Sequence, residues 1–111
     1  MTAPFPPDLL RELAERVPER ISQHASTWLV LVCGGWESVY PDEPWTHSRL
    51  EYALREETLA RGWYWSTSTS RWTPPHEAPY YARIESGPII QADSPAAALA
   101  LALLDALRGQ A

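Results

Sequence analysis

The chain contains no lysine and no asparagine, and it has a single cysteine. One thiol, Cys33, excludes an internal disulfide and any zinc site built on four cysteines, and a chain so poor in cysteine fits a reducing compartment, so a cytoplasmic location is expected. Lysine and asparagine both have AT-rich codons, and a GC-rich genome accounts for their absence; arginine is then no sign of phosphate binding by itself. The nine arginines are scattered from Arg11 to Arg108 and are outnumbered by 14 acidic residues, giving a net charge of −5. That balance provides no basic patch of the kind that drives non-specific nucleic-acid affinity, so nucleic acid is disfavoured as a partner. No apolar run approaches the ~20 residues needed to span a bilayer, and Met1 to Asp8 lack the basic and apolar regions of a secretory leader. A protein outside the membrane and not secreted is expected.

The length of 111 residues suits one domain with its own core. Residues 1–7 hold three prolines and no apolar periodicity, which predicts a loose N-terminal arm, with a single domain over 8–111. Leu10, Leu13, Ala14 and Val17 fall at i, i+3, i+4 and i+7, and Ile21, His24 and Ala25 extend the same face; the pattern predicts a helix from Asp8 to Ala25, kinked at Pro18. Trp28 to Cys33 is an unbroken apolar run suited to a central strand covered on both faces, and Gly34-Gly35 suits a tight turn into a partner strand over Trp36–Tyr40.

Ser48 with Glu51 three residues on matches a capping box and predicts a helix over Arg49–Arg61, stopped by Gly62, with Leu50, Ala53 and Leu54 buried and Glu56 and Glu57 solvated. Trp63, Trp65 and Thr67 alternate with polar residues as in a strand; Trp72 to Pro79 is too rich in proline for one; Tyr80–Ile84 and Ile89–Ala92 read as strands. Ser94 and Pro95 then supply an N-cap and a proline at the first position of a last helix that carries no charge between Asp93 and Asp105. Together these elements predict an α+β fold: a mainly antiparallel sheet of four to five strands with helices packed on it, a layered sandwich.

Arg61-Gly62-Trp63, then Tyr81-Ala82-Arg83-Ile84, then the alanine-leucine helix between Ala92 and Leu107 form a pattern that resembles the phage α-β-α (ABA) sandwich proteins, small products of phages and prophages. The likeness covers about residues 48–108. It implies a layered fold and phage origin and brings no active-site residues with it. Double-stranded-RNA-binding domains share the helix, three strands, helix order, but they place lysines at the start of the last helix, where this chain has Asp93 and then Pro95-Ala96-Ala97-Ala98.

His24, His47, His76 and Cys33 show no metal-ligand spacing, and Cys33 at the end of an apolar strand reads as an inert, buried thiol. The expectation is a non-enzyme without metal or cofactor. Six tryptophans are many for such a chain. Trp28 and one of Trp63 or Trp65 are assigned to the core, whereas Trp65, Arg71, Trp72, His76 and Tyr81 are the candidate ligand- or partner-binding group, because rigid aromatics beside arginine form binding hot spots. The last helix is apolar nearly all round, and Leu101 and Leu104, off its main leucine stripe, are candidates for a homodimer interface. The leading functional expectation is a protein-binding accessory factor of phage or prophage origin that inhibits a host protein. The alternative is a protein that binds or sequesters a nucleotide in an aromatic and arginine pocket.

Overall fold

A computed structural model describes residues 5–25, 27–69 and 80–109. The fold is α+β, with three helices and six strands among these residues, but the strands form two three-stranded antiparallel sheets instead of one sheet of four or five. Helix α1 (Pro7–Arg16) leads into sheet A, made of β1 (Ile21–His24), β2 (Thr27–Val32) and β3 (Gly35–Val39). Helix α2 (Pro44–Ala60) leads to sheet B, made of β4 (Trp65–Thr69), β5 (Tyr80–Ile84) and β6 (Ile90–Ala92), and helix α3 (Pro95–Arg108) follows.

Helix α3 sits in the middle. It packs on sheet B through all three strands and on α1 and α2, which in turn pack on sheet A. Ala96 to Ala100 and Ala102 to Leu104 are all buried, so the charge-free stretch is explained by neighbours within the chain. Leu104, assigned with Leu101 to a dimer interface, is 1% exposed and belongs to the core, whereas Leu101 is 36% exposed. The pair does not lie on one surface. The helix starts as its sequence predicts: Pro95 stands in the first turn, and the Ser94 hydroxyl accepts the Ala97 N–H at 3.1 Å.

The first helix is shorter than its periodicity predicts. Residue 17 precedes proline, where the α conformation is disfavoured, and α1 ends at Arg16. After a turn in which the Arg20 and Ile21 N–H groups donate to Val17 O, the backbone pairs across a sheet instead of continuing a helix, with Ile21 opposite Val30 and His24 opposite Thr27. Nor is the N-terminal segment loose throughout: Phe5 is fully buried and its N–H donates to Pro41 O at 3.0 Å.

The β2–β3 hairpin forms, but one residue out of the expected register. Its turn is Cys33-Gly34, with φ of +51° and +81°, the left-handed pair of a type I′ hairpin turn. Cys33 therefore leaves the strand and is exposed. Only one face of β2 is covered: Trp28 and Val30 are buried with Ile21 and Val39 opposite them, while Leu29 and Leu31 are half-buried.

Helix α2 begins at Pro44, five residues before the capping-box start, because proline presets the first helical φ and Thr46 anchors the entry; its hydroxyl donates to Tyr40 O and accepts from Tyr40 N. The predicted stop is present. Gly62, at φ +75°, donates to Leu59 O at 2.9 Å and Trp63 donates to Thr58 O at 3.1 Å, the two bonds of a Schellman cap.

The position of α3 sets an unequal cost for its leucines. Leu103→Ala is expected to lower stability by about 2–5 kcal/mol through cavity formation, and Leu101→Ala by less than about 1 kcal/mol, measured by urea denaturation. Equal losses would show that α3 is not enclosed as described.

Candidate functional site

Sheet B separates the residues expected to form one binding group. Trp65 pairs with Ile84, and Tyr81 pairs with Ser68 and Gln91, so the two aromatics differ in parity and stand on opposite faces. Trp65 is half-buried against the core on the helix side, and Tyr81 lies on the outer face. Arg71, Trp72 and His76 lie outside the described residues.

A different aromatic group is exposed. Trp36 in β3, Tyr40 just past its end, and Trp45 and Tyr52 on α2 are 49%, 43%, 45% and 57% accessible. Strand alternation puts Trp36 and Ser38 on one side of β3 and Glu37 and the buried Val39 on the other, so Trp36 faces away from the core. Trp45, Arg49 and Tyr52 stand at i, i+4 and i+7, a stripe along α2 distinct from its buried residues Leu50, Ala53 and Leu54. Arg49 joins the two elements: its Nε lies 2.6 Å from Glu37 Oε2 and its Nη1 donates to Ser38 O at 2.8 Å. The stripe is thus pinned beside β3, and the Thr46–Tyr40 bonds fix the junction between Tyr40 and Trp45. The Arg55 guanidinium lies 5.9 Å from the Tyr52 ring centroid while pairing with Glu51 at 2.8 Å. Trp45, Arg49 and Tyr52 thus form an aromatic and arginine stripe on ordered backbone, the composition of a protein-binding hot spot, whereas Trp36 stands on the face of β3 opposite Glu37, where Arg49 docks. Sequence reasoning overlooked the stripe because a helix begun at Arg49 leaves Trp45 in a loop and out of phase with Tyr52.

A second charged group lies at the C-terminal half of α2. Glu56 and Glu57, expected to be solvated, instead anchor an ion cluster: Glu57 accepts from Arg20 Nε at 2.8 Å and from Arg61 Nε at 2.7 Å, and Glu56 accepts from Arg20 Nη1 at 2.9 Å. Arg61 also reaches Glu19 at 3.7 Å and lies 5.6 Å from the Trp63 ring centroid. Glu56 also accepts the Cys33 backbone N–H at 2.9 Å, tying the hairpin tip to α2. That carboxylate raises the thiol pKa above its ordinary value, first through a hydrogen bond and then through its charge. The Glu56 carboxylate thus disfavours the Cys33 thiolate, and the residue is exposed, not buried as its sequence context suggests.

His47 Nδ1 and Ser94 Oγ are 3.1 Å apart, and the same hydroxyl caps α3, which accounts for a serine that is 6% exposed. Among the described residues no group of three or more His, Cys, Asp or Glu side chains could hold a metal ion. No helix among them is long and apolar enough to cross a membrane.

The two groups of charged and aromatic residues should respond oppositely to mutation. Glu57→Ala leaves two partly buried guanidiniums short of their shared carboxylate and is expected to lower stability by about 3 kcal/mol. Trp45→Ala should change it by less than about 0.5 kcal/mol, both read from urea denaturation. A larger loss for Trp45→Ala would make that side chain part of the fold and remove it from the candidate surface.

Comparison with known proteins places nothing beside this arrangement: no protein-family model, no curated protein and no solved structure matches the chain.

Proposed function

We propose that the protein is a non-catalytic binding factor of phage or prophage origin that docks on a host or phage protein through the aromatic stripe of α2 and blocks it. The observation that carries the reading is the exposure of Trp45 and Tyr52 in one stripe of a helix that Arg49 locks to β3. Large aromatics left in water on ordered backbone contribute little to folding, yet each can bury a large area in a partner at little further entropic cost. The net charge of −5 steers such a surface toward a basic partner, an effect that weakens as salt rises. Support for the origin comes from the resemblance of residues 48–108 to phage α-β-α sandwich proteins. The nucleotide alternative, as drawn on Trp65 and Tyr81 together, loses its shared site because the sheet stands between those rings.

Pull-down from host lysate with the tagged chain tests this reading. A protein captured in stoichiometric amount is expected, lost with the Trp45→Ser, Tyr52→Ser double variant and kept with Tyr64→Ser, an 81% exposed aromatic outside the surface. Capture should also fall at raised salt. Loss with Tyr64→Ser but not with the double variant would place the contact elsewhere, and the absence of any stoichiometric partner would count against the function.

A further inference from the structure

The outer face of sheet B carries a second and separate feature. Ser66 stands opposite Arg83 and Ser68 opposite Tyr81, so these four side chains form a small lattice on one face, with cross-strand neighbours about 5 Å apart and diagonal ones about 7 Å. With Ile89 and the backbone at Ala82 they line a depression of about 150 Å³. This is below the size of pockets that enclose whole drug-like ligands, and it suits a single small head group. Its chemistry is one-sided. Arg83 is exposed and, among the described residues, takes part in no ion pair, whereas Arg11, Arg20, Arg49, Arg55, Arg61 and Arg108 are each paired with a carboxylate. The nearby carboxylate of Glu85 accepts the Tyr64 N–H at 3.0 Å. An available guanidinium between serine hydroxyls can present several donors to a tetrahedral oxyanion, and the face of the Tyr81 ring beside it can hold a flat group.

We infer that this face of sheet B binds a phosphate monoester carried on a planar ring, with Arg83 holding the phosphate in the depression, Ser66 and Ser68 donating to its oxygens, and Tyr81 stacking on the ring. The phosphate enters the hollow and the ring lies on its Tyr81 side. The site is independent of the aromatic stripe on α2, since it shares no residue with it.

The test uses the full chain, isotope-labelled for amide NMR and titrated with AMP, inorganic phosphate and adenosine. AMP is expected to shift the amides of Ser66, Ser68, Tyr81 and Arg83, binding about tenfold more tightly than inorganic phosphate because the ring stacks. Adenosine, without the charge, should produce no saturable shift up to about 10 mM. Arg83→Gln should weaken AMP at least about tenfold with the melting temperature unchanged, and Arg83→Lys, which keeps the charge but not the fork, should fall between the two. Arg16→Gln, at an exposed α1 arginine without an ion pair among the described residues, should leave binding intact. Binding of adenosine as tight as that of AMP, AMP binding untouched by Arg83→Gln, or shifts spread equally to the surroundings of Arg16 would each overturn the assignment.

Discussion

Everything in this fold depends on covering α3. A helix whose sequence runs from Pro95 to Leu104 without a charge exposes apolar surface in nearly every direction, and water is excluded from it only if neighbours stand on several sides. One sheet cannot do that. Sheet B covers one side, while α1 and α2 cover another and themselves need sheet A behind them. The division of six strands into two sheets follows from this requirement, as does the small size of the residues at the contacts: Ala96, Ala97, Ala98, Ala100 and Ala102 let backbones approach α3 closely, and Leu99, Leu103 and Leu104 fill the remaining space.

Local signals in the sequence were legible where the chain itself satisfies its backbone. The Ser94-Pro95 cap, the Gly62 stop and the alternation of Tyr80 to Ile84 each specify geometry within a few residues, and each appears where the pattern places it. Misreadings arose where a distant partner decides. Ile21 to His24 continue a helical face in pattern, yet they pair with β2, because an edge beside Thr27–Val30 offers hydrogen bonds that a helix broken at Pro18 does not. Nothing in the local pattern of Glu56 and Glu57 reveals Arg20, some 36 residues away, which draws both toward the interior. A shift of one residue in the hairpin turn moved Cys33 from the strand to an exposed tip.

The same limit applies to the surfaces. Composition showed that tryptophan and tyrosine are abundant, but which of them face water depends on strand parity and on where α2 begins. Trp65 and Tyr81 are close in pattern and divided by the sheet; Trp45 and Tyr52 share one stripe only because α2 begins at Pro44. The two outer regions differ in character. The β3–α2 side is aromatic with its arginines already engaged, which suits a large, flat contact, whereas the outer face of sheet B holds an arginine without a carboxylate partner among the described residues, which suits a small anion.

If α3 is the shared wall between the two halves, weakening it must loosen both. Native-state hydrogen exchange on Leu99→Ala, a fully buried α3 position, tests this most directly. The account predicts that protection falls by a similar factor for the strand amides of β2 in sheet A and β5 in sheet B, because both open only with the common core. A loss confined to β5, with β2 as protected as in the parent chain, would contradict it.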